Sequence, residues 1–339
     1  MAKVEVALIG LDRRTVSLGL ALKAHAAKAD ARHSFTITGY DEDPFAVETA
    51  EKLGALDQVV SDPALAVRDA NLVYVAVPYH ALKTIFREIG PTCKRGGVVV
   101  DLAPLKEPSI GWAKETFKRD TDGLYEVYLV GASVIANSEL LGDPRTTADA
   151  ASAELFENAT LALCPAPDCP PDAVALVSDL STLLNIKLRF MDPAEHDGAI
   201  AAMEALPLLL QLAMFESVKA SPGWEDLQHL ANSPFALGTF RLGLDDPKDA
   251  AQMLSLNRAN NVRVLENLIA QAGEILEVLR TGDGDTLEVA FEHATEDYAT
   301  WEQTRRASKM SLREQHQLTS PGLRLFGSLP GLIRGKKGS

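Results

Sequence analysis

"VALIGLDRRTVSLGLALK", residues 6–23, decides how this chain is read. An apolar run ends in Gly10, crosses a polar turn and enters a segment with apolar residues at helical spacing, which predicts a strand, a tight turn and a helix. That is the outline of a dinucleotide-binding βα unit. In such a turn the first glycine makes the bend, the second lets the backbone approach a pyrophosphate, and the third allows close packing of helix on strand. The three positions hold Gly10, Asp12 and Thr15, with Leu11, Arg13 and Arg14 between them. Gly10 suits the bend, and Thr15 is small enough to serve the third role imperfectly. Asp12 puts a carboxylate where two phosphate charges would lie, a like-charge repulsion that Arg13 and Arg14 could offset, or they could hold phosphate themselves.

Outward from this unit, apolar runs alternate with helical patterns: "SFTITGYD" and "PFAVETAEKLG", "NLVYVAVP" and "ALKTIFREIG", "GGVVVDLA" and "SIGWAKETFKR". Such alternation predicts a doubly wound parallel sheet covered on both faces, an α/β Rossmann-type fold. Asp41, at the end of the second strand, is where an acidic residue hydrogen-bonds an adenosine ribose, although it could equally cap a turn before Pro44. Val77 and Pro78 end a further strand at the carboxyl edge, where ligands of this architecture bind, and His80 follows them. "CPAPDCPPD", residues 164–172, packs four prolines into nine residues and predicts a domain boundary. The expected organisation is a dinucleotide-binding domain over 1–166, an all-helical dimerisation and substrate domain over 170–304, and a basic, Gly/Pro/Ser-rich flexible tail over 305–339. The helix containing Pro207 is apolar nearly all round, so it is either a central core helix or one buried against a second subunit, and a homodimer is the expectation.

At 339 residues, with 46% hydrophobic and 24% charged residues, the chain has an ordinary globular composition. A net charge of −14 argues against nucleic-acid binding, which relies on Lys and Arg at the phosphates. No apolar run approaches the ~20 residues that cross a bilayer, so no membrane association and a cytoplasmic location are expected. Cys93, Cys164 and Cys169 match neither a zinc site nor a disulfide scaffold and read as structural thiols; no metal is expected.

In order along the chain, "LIGLDRRTVSLGLALK", "GYDEDPFAVETAEKLGALDQV", "DANLVYVAVP", "VVVDLAPLKEP", "LVGASVIANSE", "LFENATLALCP", "MDPAEHDGAIAAMEALP" and "TFRLGLDDP" resemble the motifs of the prephenate/arogenate dehydrogenase family of tyrosine biosynthesis. The resemblance runs from about residue 4 to about 275. It implies a Rossmann domain followed by a helical dimerisation domain, and a reaction that passes a hydride to NAD or NADP while the ring carboxylate leaves as carbon dioxide.

Matched residue by residue, the family's reacting groups are replaced. In "DLAPLKE" Pro104 stands where the family has a serine, while Asp101 and Lys106 remain. Ser133 of "GASVIAN" stands where the family has the histidine that hydrogen-bonds the substrate hydroxyl, and Ala205 and Leu208 of "EALPL" stand at two further histidine positions. A serine cannot hold a proton near neutral pH as an imidazole can, which predicts a loss on the order of 10²–10⁴-fold for the family's reaction. Arg241 of "TFRLGLDDP" occupies the position of the arginine that clamps a substrate carboxylate, or else pairs with Asp245 or Asp246. Leu237 replaces a basic residue before it. His196 of "PAEHDG" reads as a helix-start residue. Two function classes remain open: an NAD(P)-dependent oxidoreductase acting on a small carboxylate through a degenerate site, and a lapsed family member working as a dimeric binding or regulatory protein.

Overall fold

The structure, a computed structural model, describes residues 2–135, 140 and 143–307; the expected basic tail lies almost wholly outside the described residues. Eight strands form one sheet: β1 (Ala2–Ile9), β2 (His33–Tyr40), β3 (Gln58–Val59), β4 (Leu72–Val75), β5 (Gly97–Asp101), β6 (Val127–Ile135), β7 (Thr160–Pro165) and β8 (Lys187–Phe190). Their spatial order is β3-β2-β1-β4-β5-β6-β7-β8. All neighbours are parallel except β6 and β7, which run antiparallel with Ser133 opposite Ala162. The helices of the crossovers are α1 (Arg13–Ala26), α2 (Pro44–Lys52), α3 (Pro63–Val67), α4 (Leu82–Ile89), α5 (Glu107–Thr116) and α6 (Pro171–Leu183). Every residue of β4 and β5 is buried, as expected for central strands with both faces covered. The order reverses between β1 and β4, and the carboxyl ends of strands at such a reversal are where open α/β sheets bind ligands.

The doubly wound sheet predicted from the sequence is therefore present, but its extent differs. The first compact unit ends at Pro193 and the second runs Ala194–Thr304, so the proline cluster expected to separate the domains lies inside the first unit. Pro165 closes β7 and Pro171 opens α6, where its missing N–H costs nothing. Ala173, Leu176, Val177 and Leu180 of α6 join the same apolar core as Leu18 and Leu161. The chain then returns as β8, paired with β7 from Thr160 opposite Lys187 to Leu163 opposite Phe190.

The second unit is helical: α7 (Pro193–Ile200), α8 (Leu206–Lys219), α9 (Trp224–Leu227), α10 (Ser233–Thr239), α11 (Pro247–Leu256), α12 (Arg258–Thr281) and α13 (Gly284–Ala307). α7 and α8 are continuous through a π turn at Ala201–Ala205. The Leu206 amide donates to the Ala201 carbonyl five residues back, immediately before Pro207, which has no N–H to give. The resulting helix, Pro193–Lys219, has 27 residues and a window of mean hydropathy 1.7 that is 17% buried. By length and composition alone it is long enough to cross a membrane, contrary to the expectation that nothing approached that length. Glu204 and Pro207 interrupt the apolar run but not the helix. One such helix is weak evidence for a membrane span, because core helices of soluble proteins meet the same criterion. α11 and α12 meet at Asn257, which ends the first and precedes the second.

Candidate functional site

The β1–α1 turn has the backbone of a dinucleotide turn. Gly10 has φ +84°, a conformation that favours glycine, and a Cβ there would run into the Ala76 carbonyl at the end of β4. Its amide donates to the Tyr40 carbonyl at 2.8 Å. Thr15 is fully buried and its hydroxyl donates to the Gly10 carbonyl at 2.7 Å, so the side chain in the third glycine position ties the helix back to the bend. Asp41 stands at the end of β2 as expected. One of its oxygens accepts from the Leu11 amide at 2.6 Å and the other from the Asp43 amide at 2.8 Å. Val77 is half-buried and Pro78 exposed beyond β4, next to the Gly10 bend.

Asp12 is the N-cap of α1. Its Oδ1 accepts from the Arg14 amide at 2.8 Å and the Thr15 amide at 3.0 Å. The Arg13 amide donates to the Thr146 carbonyl at 2.8 Å, and the Val16 amide to the Asp12 carbonyl at 3.0 Å. Each of the first four helical amides thus has an acceptor supplied by the chain itself. The two arginines expected near a phosphate are engaged as well. Arg13 is buried; its guanidinium donates to the Asp143 and Arg145 carbonyls at 3.1 Å and pairs with the Asp143 carboxylate at 3.1 Å. Arg14 holds Asp12 Oδ2 through Nε and Nη2, both at 2.7 Å, and donates to the Leu102 carbonyl beyond β5 at 2.6 Å. Hydrogen bonding from Arg145, with a smaller charge contribution from Arg13, holds the Asp143 carboxyl well below the usual carboxylate range.

The bend at Gly10 and the acid at Asp41 suit an adenosine ribose, because a carboxylate with one hydrogen bond on each oxygen retains lone pairs for a hydroxyl. At the N-terminus of α1, where this fold binds a pyrophosphate, the Arg14 and Thr15 amides bind Asp12 and the Arg13 amide binds Thr146.

At the end of β5, Asp101 and Lys106 are both fully buried. The Lys106 ammonium donates to the carbonyls of Ala132 at 2.9 Å, Asp101 at 3.1 Å and Ala103, with the Asp101 carboxylate 3.9 Å away. Its stem fills the space above Gly131, where a Cβ would lie 2.8 Å from Lys106 Cδ. These two surviving motif residues lock the turn carrying Pro104 onto β6, the strand that carries Ser133. Ser133 is half-buried and, two residues on from Gly131, shares its face of the sheet.

In the helical unit Arg241 lies in the turn after α10, with Nη2 at 3.2–3.3 Å from the two oxygens of Asp245. The pairing with Asp245, one turn along the chain, is therefore present. Ala205 and Leu208 are buried and Leu237 is exposed. His196 is buried, with Nδ1 3.0 Å from Asp197 Oδ1, and Asn257 Nδ2 donates to the Asp197 carbonyl at 2.7 Å. None of the three cysteines is joined in a disulfide; burial pushes the Cys93 and Cys169 thiols up to about 12.

Sequence reasoning missed the roles of Asp143, Arg145 and Thr146, which reach the turn from 130 positions away without a local pattern. The capping role of Asp12 did have a signal, an aspartate directly before a helical run.

An open, mostly parallel sheet with its switch point beside a glycine bend, followed by a helical unit, defines a nucleotide-binding Rossmann-type protein with a separate helical domain. The comparisons make the class specific. Residues 19–190 match the model for the prephenate dehydrogenase nucleotide-binding domain, and residues 192–293 match the model for the prephenate dehydrogenase dimerization domain. The chain belongs to the prephenate dehydrogenase family, a family of NAD-binding oxidoreductases, as the order of its motifs implied. The first match begins at Gly19, beyond the Gly10–Thr15 turn. A cyclohexadienyl dehydrogenase of Zymomonas mobilis subsp. mobilis is 24% identical over 317 residues, covering 92% of this chain and 97% of that protein. A prephenate dehydrogenase of Bacillus subtilis is 25% identical over 241 residues, 70% of this chain and 59% of that protein. Among solved structures, prephenate dehydrogenase from A. aeolicus in complex with hydroxyphenyl propionate and NAD+ shares the fold with a TM-score of 0.73 at 17% identity, over 88% of this chain and 99% of that one. Synechocystis arogenate dehydrogenase does so with a TM-score of 0.66 at 19% identity, over 88% and 100%.

Proposed function

We propose that this protein keeps the family's fold, a homodimeric helical domain and a site for a small carboxylate, and that it oxidises prephenate or arogenate slowly or not at all. It then acts as a dimeric binding or regulatory protein. The observation that carries this reading is the state of the polar residues around the β5 turn. Asp101 and Lys106 are sealed inside the fold and bonded to it, Pro104 offers no hydroxyl, and Ser133 offers no imidazole to take a proton from a substrate hydroxyl. Arg241 is the carboxylate-binding candidate, and a substrate would have to draw it from Asp245. The match of residues 192–293 to a dimerization domain supports the dimer. The reading assumes a cytoplasmic setting, without nucleic acid or membrane as partner.

The test is turnover of prephenate and of arogenate by the purified protein with NAD+ or NADP+. The expected rate is zero or far below the ~1–10³ s⁻¹ of ordinary enzymes. An ordinary rate overturns the reading; its loss in Arg241→Ala would then still support the carboxylate clamp.

A second reading has its own support in the Gly10 bend and the Asp41 position: an active oxidoreductase using NAD or NADP on a different small carboxylate, with Ser133 at the hydroxyl. Asp41 favours NAD, because a carboxylate repels a 2′-phosphate.

A further inference from the structure

We infer that the cofactor turn of this protein carries its own anion, so that the sheet domain closes its pyrophosphate position by occupancy rather than by charge repulsion. The inference deepens the lapsed-dehydrogenase reading and rests on it. A helix N-terminus binds phosphate through amides that have no partner of their own. In α1 the Asp12 carboxylate takes the Arg14 and Thr15 amides, and the Thr146 carbonyl takes the Arg13 amide. Repulsion is the weaker explanation, because Arg14 is bonded to Asp12 Oδ2 through two nitrogens and offsets its charge.

The closure is built from more than one residue. Arg13, buried, clamps the 143–146 segment through two carbonyls and the Asp143 carboxylate, which keeps Thr146 over the first amide. Arg14 spans from Asp12 to the Leu102 carbonyl, bridging the N-terminus of α1 and the β5 turn along the carboxyl edge of the sheet. A ligand that depends on a pyrophosphate must displace a charge-assisted cap.

The discriminating experiment is calorimetric titration of the full-length protein with NAD+, NADH, NADP+, NADPH and inorganic pyrophosphate, in unmodified form and as Asp12→Asn and Asp12→Gly. Unmodified protein is expected to show no saturation below about 1 mM, against the micromolar range of a working site. Asp12→Asn, whose amide oxygen can still accept from both backbone amides, is expected to behave alike. Asp12→Gly frees two amides and is expected to bind at least about tenfold more tightly. Micromolar binding by the unmodified protein overturns the inference, as does an equal gain in Asp12→Asn, which would make charge the cause. No gain in a folded Asp12→Gly overturns it too. Should Asp12→Gly fail to fold by thermal melt, hydrogen exchange of the unmodified protein carries the test: 1 mM NAD+ is expected to leave exchange around residues 10–20 unchanged, and new protection there overturns the inference. Tight binding without turnover would defeat this inference alone, whereas turnover at an ordinary rate defeats the function reading beneath it.

Discussion

The two units of the chain treat their apolar side chains in opposite ways. In the sheet unit every residue of β4 and β5 is buried, and Leu8, Ile37, Leu72 and Leu163 have no exposed surface. In the helical unit Ala201, Ala205, Leu208 and Val264 are the buried apolar residues among those described, while Met203, Leu212, Leu237, Ile269, Ile275, Leu279 and Phe291 are exposed. A strand–helix alternation supplies each apolar face with a partner from the same chain. Long helices that are apolar on several faces have none to spare, and exposed apolar surface on that scale marks an interaction site. That the exposed set falls within the stretch matching a dimerization domain gives it a natural cover in a second copy.

The largest effect is expected in the self-sufficient unit. Lys106→Met keeps the aliphatic stem, removes the ammonium from three carbonyls and leaves the Asp101 carboxylate in the interior without its counter-charge. Breaking a buried pair in this way costs about 3–5 kcal/mol, read from a denaturant titration. A change under about 1 kcal/mol would mean that the turn does not depend on that ammonium, and the argument that the surviving motif residues serve the fold would fail with it.

A smaller loss is expected where the helical unit meets its partner. Leu212 on α8 is exposed in the single chain. If a second copy covers it, Leu212→Glu removes about half of the ~1.5–3 kcal/mol of a fully buried leucine per subunit, because Leu212 is already about half covered in the single chain, and its carboxylate disfavours the paired state. The unmodified protein should scatter light as a dimer at micromolar concentration and the variant as a monomer with a lower melting temperature. If the face is solvated instead, the substitution should shift stability by no more than about 0.5 kcal/mol, and the contrast between the units would need another explanation.

The same contrast marks what could be read from the sequence. The alternation from β1 to α5 was legible because buried parallel strands are short apolar runs between helical patterns. β8 was not: Lys187–Phe190 is four residues with two charges after a helix, and only its register against β7 makes it a strand. The proline cluster was misread as a boundary because prolines close a strand and open a helix as readily as they mark a linker. At the candidate site, Gly10 and Asp41 stand in the expected positions, since single-residue backbone demands leave a mark in sequence. Asp12 was read as a charge, but its hydrogen bonds make it a cap. The acceptors from residues 143–146 could not be foreseen, because no local pattern links them to Arg13.

The smallest effect is expected from the substitution that family comparison makes most tempting. Ser133→His introduces, on β6, the residue type that the resemblance of the motifs implies for the hydroxyl-binding position; Ser133 is half-buried opposite Ala162. An imidazole works as a proton acceptor only when a partner fixes its tautomer and orientation and the reacting group is delivered within hydrogen-bond reach. Pro104 still lacks a hydroxyl, Ala205 and Leu208 still stand where the resemblance implies two histidines, and Asp12 still holds the α1 amides. Since proximity and orientation supply a large share of an enzyme's rate, one returned group without its neighbours should recover almost none of it. NAD+-dependent oxidation of prephenate by Ser133→His is therefore expected to stay within about tenfold of the unmodified protein's rate, measured as NADH formation. A rise of about 10²-fold or more would show that the rest of the reacting site is intact, and that the sheet unit, for all its internal bonding at Asp12 and Lys106, had lost a single group.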